Sequence, residues 1–249
     1  MTALAGRTAL VTGGSRGIGR AIARRLGRDG ARVAVHYGSN EAAAKETVAA
    51  IEAAGGAAFA VHAELGVPGD AETLWAAFDA RADGLDILVN NAGILGEQAE
   101  IQDVNAATFD RVLAVNTRAP FLVTQHALRR LRDGGRIVNI SSVLTHGPAM
   151  PRSISYAMSK GALDVLTRML AKQLGPRAIT VNTVAPGVVD TDMHEGRLVG
   201  AALTWLESLS PMKRLGTPED IADAVAFLAS PDGRFVTGQW FDVSGGTLL

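Results

Sequence analysis

The stretch Thr8-Ala9-Leu10-Val11-Thr12-Gly13-Gly14-Ser15-Arg16-Gly17-Ile18-Gly19 decides the fold. A short strand-like run stops at Gly13. Behind the turn, Ile18, Ile22 and Leu26 recur every four residues, which predicts an amphipathic helix over 17–28. In a strand–glycine turn–helix unit the backbone approaches a phosphate closely. The helix N-terminus then offers that phosphate free N–H groups and partial positive charge. An ordinary strand-to-helix turn also uses glycine. The place of this one, at the first strand and first helix of a regularly alternating chain, favours the phosphate.

Outward from this unit the alternation continues. Further strands are expected at 33–35, 59–61, 87–89, 137–140, 179–184 and 239–243. Helices are expected at 40–54, capped by Asn40 and ended by Gly55-Gly56, and at 68–82, 153–174 and 218–229. A long helix fits 106–131, with an interruption near Pro120. Strand–helix alternation throughout predicts the α/β class: a single Rossmann-type, doubly wound parallel sheet of about seven strands, helices on both faces, one domain over 1–249. Residues 188–215 break the rhythm and read as a substrate lid.

Composition excludes several functions. Net charge is -1 over 249 residues, so neither nucleic acid nor an anionic membrane is indicated as a partner. There are no cysteines, hence no disulfide or thiol chemistry. No metal is expected. No apolar run reaches the roughly 18 residues of a membrane helix, and the first residues lack a signal-peptide core, so a cytoplasmic protein is expected.

The spacing of the glycine turn, T-G-x-x-x-G-x-G, together with later motifs, resembles the short-chain dehydrogenase/reductase family, from Arg7 to Gly246. Asn90-Asn91-Ala92-Gly93 follows the fourth strand and Asn116 lies in a helix. Ser142 ends the fifth strand, Tyr156-x-x-x-Lys160 opens the next helix, and Pro186-Gly187 and Thr191 follow the sixth strand. The resemblance implies a nicotinamide-dependent oxidoreductase acting on a carbonyl or alcohol carbon. It makes Gly13, Ser15, Arg16, Gly17, Ile18 and Gly19 the phosphate turn, and Asn90, Ala92 and Gly93 the segment beside the adenosine ribose. Val188 and Thr191 would meet the carboxamide, next to Pro186 and Gly187. Similar proteins carry Asp after the third strand, against the adenine. Here Glu64 stands there, one methylene longer.

In dinucleotide folds an acid near the end of the second strand binds the ribose of NAD. Tyr37 falls at that place, and no carboxylate precedes Glu41. Its absence removes repulsion of a 2′-phosphate. Arg16 can pair with that phosphate, and Ser39 and Asn40 can add hydrogen bonds, so NADP(H) is expected over NAD(H). The alternative for Arg16 is a solvated surface charge.

Hydride arriving at a carbonyl leaves charge on oxygen, so a proton donor must stand beside it. A tyrosine, with a pKa of about 10, needs a nearby cation to exchange protons near neutrality. Tyr156 and Lys160 are one helical turn apart and share a face. The resemblance makes Tyr156 the acid/base, Lys160 its cation, Ser142 the holder of the substrate oxygen and Asn116 the anchor of a water on the lysine. Ser141 is the rival of Ser142. His146 reads as a loop residue. Many similar proteins reduce 3-oxoacyl thioesters on acyl carrier protein. Arg129, Arg130 and Arg132 offer charge for an acidic carrier, or simply complement a helix end. The apolar lid residues Met193, Leu198, Val199, Leu203, Trp205 and Leu206 favour an apolar substrate or pack the lid. A small ketone, sugar, steroid or polyol is also open, as is a non-catalytic nucleotide-binding regulator. The resemblance implies a homotetramer.

Overall fold

The computed structural model describes residues 2–147, 149–191, 199–247 and 249. Seven parallel strands form one sheet, ordered β3-β2-β1-β4-β5-β6-β7. They are β1 (Thr8–Val11), β2 (Arg32–Tyr37), β3 (Ala57–His62), β4 (Leu85–Asn90), β5 (Leu131–Ile140), β6 (Thr180–Pro186) and β7 (Trp240–Val243). The helices are α1 (Gly17–Arg28), α2 (Glu41–Ala53), α3 (Asp70–Asp79), α4 (Ala106–Leu113), α5 (Ala119–Ala127), α6 (Ile154–Leu174), α7 (Gly200–Ser208) and α8 (Pro218–Ala229). The sheet agrees with the expected class. No described helix is long and apolar enough to cross a membrane.

Alternate residues of each buried strand feed opposite layers. Ala9, Val11, Val33, Val35, Ile87 and Val89 pack with Ile22 and Leu26 of α1 and Ile221 and Val225 of α8. Leu10, Ala34 and Leu88 pack on the other face with Trp75 and Phe78 of α3, Val123 of α5 and Leu170 of α6. Full burial of a side chain such as Phe78 contributes about 1.5–3 kcal/mol. β1 pairs β2 on one side and β4 on the other, so the chain reverses its winding there. The carboxyl ends of β1 and β4 therefore border a crevice, the place where such sheets bind ligands.

Two departures from the expected elements matter for the site. The helix expected over 106–131 is broken by a wide π turn, Ala114–Arg118, in which the Ala119 N–H reaches the Ala114 carbonyl. Pro120 is the cause: it has no N–H, and its ring would collide with the carbonyl four residues back, that of Asn116. The chain then turns into β5 at Leu131, earlier than expected, because the Arg130 carbonyl accepts from Leu85 N–H at 2.9 Å. Arg130 pairs with Asp79 (Nε to Oδ1, 2.7 Å) and Arg132 with Asp86 (2.8 Å). Two of the three arginines thought to be helix-end charges are thus tied to neighbouring elements.

Segment 188–215 is fastened at both ends. The Gly216 N–H donates to Val188 O at 2.9 Å and Asp190 N–H to Gly216 O at 3.0 Å. Between them α7 buries none of its residues. Met193 and Leu198 lie outside the described residues.

Candidate active site

The glycine turn is held from below. Thr12 Oγ1 accepts from the N–H groups of Asn91 (2.9 Å) and Ala92 (3.1 Å), and Asn91 Nδ2 donates to Thr12 O at 2.9 Å. Gly13 has φ +63°. A Cβ on Gly19 would stand 2.1 Å from Gly13 O and 2.5 Å from Asn91 Nδ2, so only hydrogen fits there. Arg16 precedes α1 with extended backbone, caps it with no side-chain bond, and no acid occupies the first turn. The leading N–H groups, of Gly17, Ile18 and Gly19, are therefore uncapped and fit an anion. Across the crevice, Thr191 stands 3.4 Å from where a Cβ on Gly17 would be.

The other expected nucleotide residues are distributed unevenly. Ser15 is buried, and its carbonyl accepts from Arg20 Nε at 2.9 Å. Arg16, Ser39 and Asn40 are exposed, and among the described residues Arg16 forms no salt bridge. Asn40 Oδ1 caps α2 by accepting from Ala43 N–H at 3.0 Å, leaving its amide to donate. Tyr37 ends β2 against His62, ring centroids 5.1 Å apart. Glu64 is exposed and reaches Arg111 at 3.4 Å. The Asn90 side chain lies under the crevice, its Nδ2 donating to Asn139 Oδ1 (2.8 Å) and Thr124 Oγ1 (2.9 Å). Pro186 closes β6 opposite Val243, and a Cβ on the next residue, Gly187, would stand 2.9 Å from Ser244.

The four chemistry-bearing residues come from three elements. Ser142 follows β5, whose end is fixed by Ser141 N–H on Val184 O at 2.8 Å. Ser141 Oγ donates to Lys160 O at 3.3 Å, which separates it from its neighbour's position at the phenol. Tyr156, half-buried in the first turn of α6, carries its hydroxyl beside that of Ser142. Lys160, one turn on and buried, donates from Nζ to Ile140 O at 2.8 Å and lies 5.8 Å from the Tyr156 ring centroid. Gly93 passes against this amine: a Cβ there would meet both Lys160 Nζ and Asn116 Oδ1 at 3.2 Å.

Asn116 holds this arrangement together. Its Oδ1 accepts from Ile94 N–H (2.9 Å), and its Nδ2 donates to Ile94 O (2.8 Å) and Ser159 Oγ (3.0 Å). The side chain is thus occupied by the 93–94 segment and α6. A water anchored by this residue has to use its carbonyl, to which Pro120 can return no N–H.

Burial pushes the Tyr156 phenol up to about 12, against the opposite pull of the Ser142 hydroxyl. Burial pushes Lys160 down to about 8, and the Asp164 carboxylate opposes that shift. Burial is the largest cause at both residues, and one of the three N–H groups of the ammonium is given to Ile140 O.

Two residues absent from the sequence reading belong to the site's frame. His36, buried in β2, accepts from Gly13 N–H through Nδ1 at 2.9 Å. Asp164, one turn beyond Lys160, is buried with neither oxygen hydrogen-bonded. Its position at Tyr156 plus eight and Lys160 plus four was a readable signal. His146 stacks on Trp240, centroids 3.9 Å apart.

A glycine turn with uncapped N–H groups at a sheet's switch point, facing a serine, a tyrosine and a lysine, defines a dinucleotide-dependent oxidoreductase acting on C=O or CH–OH carbons. Comparison with known proteins agrees. The family model described as Enoyl-(Acyl carrier protein) reductase matches residues 13–247. An oxidoreductase of Methylorubrum extorquens is 45% identical over 99% of both chains. Versicolorin reductase 1 of Aspergillus parasiticus is 40% identical, covering 98% of this chain and 97% of its own. Among solved structures, angucycline C-6 ketoreductase LanV with bound NADP is 49% identical, with a TM-score of 0.94 over 99% of this chain and 97% of its own. The chain belongs to the short-chain dehydrogenase/reductase family.

Proposed function

We propose that this chain is an NADP(H)-preferring carbonyl reductase in which Tyr156 protonates the ketone oxygen of a polycyclic aromatic substrate. The observation that carries the reading is the cluster on one face of α6: Tyr156 against Ser142, and Lys160 between Ile140 O and Gly93. Bound NADPH supplies the hydride. Ser142 and Tyr156 hold the carbonyl oxygen through two hydroxyls, and Tyr156 releases its proton as charge grows there. Lys160 keeps positive charge beside the phenol. The Asn116 carbonyl holds the water that restores the proton through Lys160.

The cofactor choice is supported by the absence of an acid at Tyr37, by exposed Arg16, and by the NADP bound in the LanV structure. Replacing Arg16 with glutamate is expected to weaken NADPH binding roughly tenfold and NADH binding far less, since it removes a charge-assisted pair to the 2′-phosphate. Fluorescence titration with both nucleotides reads this, and equal losses would remove Arg16 from phosphate recognition.

Segment 188–215 is the lid. Two of its apolar side chains, Trp205 and Val199, are 50% and 66% exposed, which suits a flat apolar substrate. By their names, the relatives reported above are an angucycline C-6 ketoreductase and a versicolorin reductase. A carrier-bound 3-oxoacyl thioester is less favoured, because Arg130 and Arg132 are engaged by Asp79 and Asp86. Following NADPH oxidation with a panel of polycyclic aromatic ketones and one 3-oxoacyl thioester tests this. Turnover of the thioester alone, or of nothing, overturns it.

The chain also self-associates, in this reading as a tetramer, through α5 and α6. A groove of about 510 Å³ between them is lined by Phe121, Leu128, Val165, Leu166 and Met169. Phe121 and Met169 are largely uncovered at its rim. The Phe121→Arg/Met169→Arg double variant should sediment as a smaller species than the parent. An unchanged sedimentation coefficient would place the interface elsewhere.

A further inference from the structure

His36 stands in the second strand, away from every group that performs the chemistry, yet it touches the phosphate turn twice. Its Nδ1 accepts the Gly13 N–H at 2.9 Å, and its main-chain carbonyl accepts the Gly14 N–H at 2.8 Å. On the far side of the ring, Nε2 lies 3.0 Å from Ala63 O, at the corner after β3. Ala63 N–H in turn donates to Tyr37 O at 3.1 Å. One side chain thus spans the gap between the turn that meets the phosphates and the corner that walls the adenine side.

The geometry fixes the ring's protonation. A main-chain N–H can only donate, so Nδ1 must carry a lone pair. A carbonyl can only accept, so Nε2 must carry the hydrogen. A doubly protonated ring would set N–H against N–H at Gly13. Its 2% exposure agrees, and burial pushes the imidazole down to about 4, which keeps it neutral at ordinary pH.

We propose that His36 is a positioning residue for the dinucleotide: as the neutral Nε2–H tautomer it sets the distance and angle between the glycine turn and the Ala63–Glu64 corner. The proposal rests on the reading of the crevice as the NADPH site, and it assigns His36 to binding, not to the chemical step. A branched apolar side chain in its place leaves the Gly13 N–H without an acceptor and frees the turn from β3. Asparagine supplies an oxygen near the place of Nδ1 and restores the first bond, losing only the reach to Ala63.

The test compares wild type, His36→Leu and His36→Asn by direct NADPH titration and by steady-state kinetics. NADPH affinity is expected to fall about tenfold in His36→Leu, the size of one unmade buried hydrogen bond, and to return to within about threefold of wild type in His36→Asn. The KM for NADPH should follow while kcat at saturating NADPH holds. An unchanged dissociation constant in folded His36→Leu overturns the proposal, as does a loss confined to kcat. Should His36→Leu fail to fold, nitrogen-15 chemical shifts of the wild-type imidazole decide. An unprotonated Nδ1 with a protonated Nε2 supports the assignment, and the reverse tautomer overturns it. Failure of the wild type itself to bind NADPH is a different result, which removes the reading of the crevice and leaves the tautomer measurement standing.

Discussion

Replacing Tyr156 with phenylalanine is expected to lower turnover by about a thousandfold while leaving NADPH affinity within about twofold, in the range found for removal of a positioned acid. The substitution deletes one hydroxyl from a side chain that otherwise keeps its place in the first turn of α6. The oxygen it removes lies beside Ser142, and the backbone bonds of the fold do not depend on it. Lys160 retains its hold on Ile140 O, and the glycine turn retains its hold on Asn91. Loss should therefore appear in kcat. Single-turnover measurement with preloaded NADPH separates the chemical step from binding. More than about a tenth of the parent rate in that measurement would mean that another group delivers the proton.

Replacing Gly19 with alanine should be the most damaging change in the nucleotide crevice. The added methyl would lie 2.1 Å from Gly13 O and 2.5 Å from Asn91 Nδ2, and neither neighbour is a flexible chain end. Gly13 O is backbone, and Asn91 is pinned by Thr12. The turn must open, and overpacking of this kind costs about 2 kcal/mol, or on the order of 6 °C in Tm for a protein of this size. The same movement pulls the first N–H groups of α1 out of register with a diphosphate, so NADPH binding should weaken by more than about tenfold. Thermal denaturation and NADPH titration read the two effects. An unchanged Tm would show that the turn has slack that the contact distances deny.

Much of this arrangement is legible in the residues. The order of strands and helices follows from short apolar runs alternating with four-residue spacings, and the long α6 carries Tyr156 and Lys160 where the pattern puts them. The π turn was half legible. Pro120 marks a break in the helix, but whether the break becomes a kink or a widened turn depends on what Asn116 meets, and Ile94 and Ser159 come from distant parts of the chain. His36 gave no signal because a lone histidine in an apolar strand reads as a satisfied core residue, and its partners Gly13 and Ala63 converge only when three strands pair. The burial of Tyr156 and Lys160 was not legible for a related reason. Sequence shows which charge stands one turn away, and only the folded chain shows how far water is excluded or that Ile140 O accepts from the ammonium.

The pairing of Val188 and Asp190 with Gly216 closes off the stretch that carries α7. Within that span α7 contributes no buried residue whose loss would weaken the core. Mutations in α7 carry little penalty for folding, so the chemistry of recognition can change there while the sheet and the α6 cluster are kept. For an engineer, the same property makes this stretch the place to graft or randomise, with libraries expected to yield mostly well-folded members.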